Sequence, residues 1–152
     1  MKYDVYLAGP CDSEHRSIMV SIAKFLRAKG KNVYCPWELK IENAWDMPQE
    51  KWAQAVFDAD VAAINDSEML VIISYGRTSS CGTAWEQGYA YAKGIHTHVI
   101  QINDKPTSLM IYCGSNNFVN LDNEYKGMQG ELNWICDHGA VDYHGKCRTV
   151  LT

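Results

Sequence analysis

Short apolar runs alternate with amphipathic stretches along most of this chain, and the alternation predicts its architecture. Val5 to Ala8 reads as a buried strand, stopped by Gly9-Pro10. Ser13 is placed to cap a helix whose apolar positions Ile18, Ile22, Phe25 and Leu26 share one face, with Gly30 as its stop. Val33-Tyr34-Cys35 follows as a second strand closed by Pro36, and the mixed stretch from Trp37 to Trp45 reads as a loop. Asp46-Met47-Pro48-Gln49 has the form of a capping box with proline in the first turn, opening a second helix to about Asn65. Met69-Leu70-Val71-Ile72-Ile73 is a third strand. After it, Ala84, Gly88 and Ala92 recur every four positions, the spacing of a helix pressed close to a sheet, with Gly94 as its stop. His98 to Ile102 is a fourth strand; past Val119 the pattern is less regular, with Glu131 to Ile135 as a closing helix. Strands and helices in this order call for one α/β domain, a flavodoxin-like or Rossmann-like parallel sheet flanked by helices.

That architecture gives certain polar residues a place. Glu86 lies about one turn inside the third helix, at the carboxyl end of a strand, where open α/β sheets bind ligands. A helix N-terminus favours the ionised carboxylate, so Glu86 is expected to be a charged nucleophile; a solvated first-turn glutamate is the other reading. Asp60 falls on one stripe of the second helix with Trp52, Val56 and Ala63, whereas Asp58 points elsewhere and is expected to be solvated. A carboxylate on an apolar stripe is either paired with a cation or held for chemistry, because burying it alone is unfavourable. Tyr6, just before the Gly9-Pro10 break, is either core or a hydroxyl reaching the carboxyl ends of the strands. Ser74, Gly76, Arg77, Thr78, Ser79 and Ser80 form either a phosphate cradle at a helix N-terminus or a polar loop.

Composition narrows the class. The 152 residues suffice for one domain with its own core, and the contents of 47% apolar and 21% charged residues are those of an ordinary globular protein. A net charge of −4 argues against a nucleic-acid surface, no apolar run is long enough to span a membrane, and no signal-peptide pattern precedes Tyr3. Six cysteines without an export signal predict reduced thiols and a cytoplasmic protein. Cys136-x-His138 and His144-x-x-Cys147 lack the compact spacing of common zinc sites, so no metal is expected.

At this point the residues carry a family resemblance. Tyr6-Leu7-Ala8-Gly9-Pro10, Asp60-x-x-x-Ile64 and Gly82-Thr83-Ala84-x-Glu86-x-Gly88-Tyr89-Ala90, in this order and spacing, resemble the nucleoside 2-deoxyribosyltransferase superfamily, which includes hydrolases of nucleoside 5′-monophosphates. The resemblance spans roughly residues 3 to 120, so 1–121 is expected to be the catalytic domain and 122–152 an extension packed on it. It implies that Glu86 attacks the anomeric carbon, Tyr6 orients that carboxylate, and Asp60 exchanges a proton with the base. Gly9 and Gly82 come with the motifs as substrate-side positions. Cleavage of an N-glycosidic bond through an oxocarbenium-like transition state needs two carboxyl groups with different tasks, and neither a metal nor an organic cofactor.

Two departures favour one branch. Six residues before the nucleophile, where deoxyribosyltransferases typically carry an aspartate for the sugar 5′-hydroxyl, this chain has Ser80. The Lys105-Pro106-Thr107-Ser108-Leu109-Met110 segment resembles a family stretch with asparagine in place of Ser108, one that reaches into a neighbouring subunit's site. An aspartate would repel a phosphate; serine does not. Ser80, Ser108 and Met110 are therefore expected around the substrate, with Arg77 or Arg16 supplying a cation. The first expectation is a hydrolase of nucleoside 5′-monophosphates, acting as a homodimer or dimer-based oligomer; the alternatives are a nucleoside deoxyribosyltransferase and a nucleotide-binding module without turnover. A base is expected against Trp37, Trp45 or Met47.

Overall fold

The computed structural model describes residues 1–121, 127–142 and 150–152. In chain order the elements are β1 (Tyr3–Ala8), α1 (Arg16–Ala28), β2 (Val33–Tyr34), α2 (Gln49–Asn65), β3 (Ser67–Ser74), α3 (Cys81–Ala92), β4 (His96–Gln101), α4 (Leu109–Cys113), β5 (Asn117–Asn120) and α5 (Met128–His138). The strands are all parallel, in the order β2-β1-β3-β4-β5. The chain therefore winds outward in both directions from β1 and β3, the flavodoxin-like arrangement, whose order reverses between these two strands.

Both faces of the sheet are covered, so its strands are apolar on both sides. On one face Val5, Leu7, Met69, Val71 and Ile73 pack against Ile18, Met19, Ile22 and Leu26 of α1 and Met128, Leu132 and Ile135 of α5. On the other, Tyr6, Ala8, Leu70, Ile72, Val99 and Phe118 pack against Ala63 and Ile64 of α2 and Ala90 of α3. The C-terminal part shares this body: α5 lies in the first core, and Thr107 exchanges backbone hydrogen bonds with Val150 and Thr152, at 2.9 and 3.0 Å.

Several local expectations are corrected. The first helix begins at Arg16, and Ser13 does not cap it; the Asp12 carboxylate accepts the His15 amide N–H at 3.0 Å instead. The second helix has no capping box: Asp46 ends a 3-10 turn, and Pro48, with extended ψ, stands just outside Gln49. Ala84, Gly88 and Ala92 face outward, and α3 buries Thr83, Gln87 and Ala90 instead. Gln87 tolerates burial because its Nε2 donates to the Ile111 carbonyl at 2.9 Å. The short helix α4 and strand β5 are elements the apolar pattern did not reveal. No helix among the described residues is long and apolar enough to cross a membrane.

One glycine fixes the loop between β3 and α3. Gly76 has φ +68°, and a Cβ there would lie 2.8 Å from the Pro106 carbonyl oxygen. Gly76→Ala is therefore expected to lose about 2 kcal/mol or more in chemical denaturation. Gly130→Ala, inside α5 where a Cβ meets nothing within 4 Å, is expected to gain about 0.5–1 kcal/mol. Equal stability of the two variants would contradict this account of the loop.

Candidate active site

The site is built on the register between β1 and β2. Tyr6 and Tyr34 are direct partners across that ladder, so both side chains emerge on the face covered by α2 and α3. Their rings stack with centroids 5.2 Å apart and planes 18° from parallel. The hydroxyls go to different carboxylates: Tyr6 donates to Glu86 Oε2 on α3, and Tyr34 donates to Asp60 Oδ1 on α2 at 2.8 Å. Asp60 and Glu86 line one cavity of about 230 Å³ with Phe57, Val61, Ile64, Gly82 and Trp85. The structure thus brings Tyr6, Asp60 and Glu86 together at the carboxyl end of β1. Tyr6 is fully buried and yet engaged in the site, so its two sequence readings both hold. Asp58 is exposed, with Gln54 as its hydrogen-bond partner.

Burial dominates the electrostatics. It pushes the Glu86 carboxyl up to about 7, with the Asp60 charge adding to the rise and the Tyr6 hydrogen bond opposing it. The expectation that the helix N-terminus keeps Glu86 ionised is corrected here: Glu86 sits in the second turn of α3, beyond the reach of the end charge, and desolvation wins. Burial also raises Asp60 above the usual carboxylate range, against the Tyr34 hydrogen bond. Both phenols are pushed well above their ordinary value, first by burial and then by the carboxylates beside them, so they remain donors. The Cys11 thiol, in the loop after β1, rises to about 11 through burial and then the charges of Glu86 and Asp60. Cys11, Tyr34, Phe57 and Trp85 are the neighbours of the carboxylates that sequence reasoning missed. Phe57 and Trp85 had a usable signal: one precedes Asp60 by a helical turn and the other adjoins Glu86, and their rings meet at 5.1 Å.

Ser80 caps α3: its Oγ accepts the Thr83 amide N–H at 3.2 Å and lies 2.8 Å from the Thr83 hydroxyl. In the loop before it, the amides do not form an open cradle. Those of Tyr75 and Gly76 donate to Ser79 and Ser74 hydroxyls, and those of Arg77 and Ser79 to the Pro106 and Gly76 carbonyls. The amides of Cys81 and Gly82, in the first turn of α3, have no acceptor among the described residues. Ser74, Arg77, Ser79, Ser80 and Ser108 line a neighbouring cavity of about 170 Å³, which Glu86 does not reach.

The remaining expected residues are spread more widely. Met110 is exposed and, with Ser108, borders an apolar groove of about 460 Å³ against Ala84, Gly88 and Tyr91, across α3 from Glu86. Arg16 stands 5.2 Å over the Trp37 ring, whose indole N–H donates to the Pro10 carbonyl at 3.1 Å, so both border the turn after β1. Gly9 serves packing: a Cβ there would lie 2.5 Å from the Met19 methyl. Trp45 and Met47 line a separate hollow with Trp52 rather than the wall beside Glu86. Cys136 packs against the first core, and the His138 ring stacks on Trp134 at 4.4 Å; His144 and Cys147 lie outside the described residues.

Three solved structures resemble this fold. A 2-deoxyribosyltransferase from Bacillus psychrosaccharolyticus is 24% identical with a TM-score of 0.65, over 75% of this chain and 83% of its own. A conserved protein from Enterococcus faecalis V583 is 19% identical with a TM-score of 0.67, over 86% and 96%. The CMP N-glycosidase BcmB of Clostridium botulinum is 19% identical with a TM-score of 0.60, over 85% and 97%. No curated protein matches the sequence. The family model described as nucleoside 2-deoxyribosyltransferase matches residues 5–134, from β1 into α5 and across every side chain of the paired tyrosines and carboxylates. The chain belongs to the nucleoside 2-deoxyribosyltransferase family.

Proposed function

We propose that this chain hydrolyses the N-glycosidic bond of a nucleoside 5′-monophosphate through a glycosyl-enzyme intermediate on Glu86. Family membership makes it a glycosyl transferase or hydrolase; the finer reading rests on the site. The observation that carries it is the pair Glu86 and Asp60 on facing helices, lining one cavity, each held by its own tyrosine. The ionised Glu86 attacks the anomeric carbon while the bond to the base breaks, and its electron pair stays on the base nitrogen. Asp60 gives that nitrogen its proton, so the base leaves neutral. Water then attacks the ester, returns a proton to Asp60 and frees Glu86 with the sugar phosphate.

The phosphate reading is supported by the start of α3. Ser80 brings no charge, and the unpaired amides of Cys81 and Gly82 point out of the helix N-terminus with Arg77 in the adjoining loop. Gly82, whose amide faces that end, also lines the cavity that holds Glu86, so the two places adjoin along the first turns of α3. The homodimer expected from the family resemblance would have the apolar groove bordered by Met110 and Ser108 as one face available for packing. Base exchange on a deoxynucleoside is the second reading, favoured by the family model's own description.

Incubation with ribo- and deoxyribonucleoside 5′-monophosphates and the matching nucleosides separates the readings. Free base is expected from the monophosphates, and added free base is not expected to be incorporated. Base released only from unphosphorylated nucleosides would overturn the phosphate assignment.

The site also ties activity to stability. Glu86→Gln is expected to lower turnover by about a thousandfold or more. Because the folded protein holds the Glu86 proton more tightly than the unfolded chain does, the native state is favoured at low pH and loses stability as pH rises from 4.5 through about 7. The glutamine variant escapes that loss, so above pH 7 it should be more stable than wild type by roughly 2 kcal/mol, with the difference vanishing near pH 4. Because the nucleophile must be ionised, activity should rise with pH toward about 7 as Glu86 loses its proton, and fall again where Asp60 can no longer hold the proton it gives to the base. A variant no more stable at pH 8 than wild type would contradict the burial account.

A further inference from the structure

We propose that Tyr34 is a positioning residue for the reaction, fixing the Asp60 carboxyl and making it a stronger acid toward the departing base. The inference rests on the carboxylate pair proposed above and assigns a task to a residue outside the three sequence motifs. Tyr34 is held from two sides, by the stacked Tyr6 ring at 5.2 Å and by the Tyr3 ring, edge-on at 5.3 Å and 65°. Its backbone is fixed by the β1–β2 ladder. The hydroxyl therefore has one aim, Asp60 Oδ1 at 2.8 Å, and among the described residues no other group donates a hydrogen bond to that carboxylate.

The surroundings make this hydrogen bond matter. The titratable groups facing Asp60 are Tyr34 from β2, Tyr6 from β1, Cys11 from the loop after β1 and Glu86 from α3, and none is a cation. When Asp60 passes its proton to the base nitrogen, the negative charge left behind meets only the phenol hydrogen of Tyr34, which keeps its own proton throughout. A hydrogen bond to an ion is stronger than one to a neutral carboxyl, so Tyr34 favours the product of the proton transfer. Without its hydroxyl, Asp60 keeps its place in α2 but becomes a weaker acid with a freer rotamer. Bond breaking should then slow most for bases that need protonation to leave.

The test uses the full chain with carbonyl-labelled aspartate, followed by carbon NMR across pH, with Asp60→Asn to assign the resonance. Tyr34→Phe is expected to raise the Asp60 midpoint by about half a unit to one unit. Tyr3→Phe, which keeps a ring in the same stack, should leave it in place. In turnover, Tyr34→Phe should lower kcat about tenfold or more for a natural base and about twofold or less for a nitrophenyl leaving group, with KM little changed. An unmoved or lowered midpoint, or equal losses on both substrates, would overturn the proposal. A raised midpoint in a protein whose wild type cleaves nothing would instead overturn the proposed reaction, with the hold of Tyr34 on Asp60 still standing.

Discussion

The structure turns on one constraint: a partly buried carboxylate, Glu86, is held at the wall of a cavity against the hydroxyl of a fully buried tyrosine. Neither partner is favourable alone. A buried phenol without an acceptor and a carboxyl without a donor each forfeit hydrogen bonds that water would supply. Together they are satisfied, and the β1 strand and the α3 helix bring them within reach of each other. The same pairing is repeated one strand over by Tyr34 and Asp60, and the stacked rings join the two.

This arrangement works against folding in order to serve chemistry. Two carboxyl groups share an apolar groove with no cation among the groups facing them, so burial lifts both toward neutrality and the Asp60 charge adds to the rise at Glu86. A protein built for stability alone would place amides or apolar groups there. In the proposed reaction the pair divides two tasks, acid and nucleophile, that cleavage of an N-glycosidic bond needs at one centre. The cores on both sheet faces offset that cost: α1 and α5 close one face, and α2 and α3 close the other.

Much of the fold was legible because burial writes itself into apolar runs. The strands around Val5–Ala8, Met69–Ile73 and His98–Ile102 read correctly for that reason. Strand β5 was not legible, since only Phe118 and Val119 separate two asparagines; those are buried by side-chain hydrogen bonds, Asn117 to the Val141 carbonyl and Asn120 to that of Asn103. The outward turn of Ala84, Gly88 and Ala92 escaped for a related reason, because small residues fit a groove as well as a sheet and the buried Gln87 carries a polar label. Within the site, Tyr6, Asp60 and Glu86 were legible through motif spacing. Tyr34 was not, because a tyrosine in a two-residue strand acquires meaning only from the register that sets it against Tyr6. The charge on Glu86 was misjudged because a helix end can be read from sequence and the depth of a groove cannot.

The central claim is that Glu86 becomes covalently bound to the sugar. The most direct measurement is peptide-mapped mass spectrometry of the protein quenched in acid during reaction with a 2′-fluorinated nucleoside 5′-monophosphate, whose electron-poor sugar slows release of the ester. The account predicts a mass gain equal to the fluorinated sugar phosphate on the peptide containing Glu86, absent from Glu86→Gln. Base release in this reaction with no adduct on Glu86, or an adduct on Asp60 instead, would contradict it.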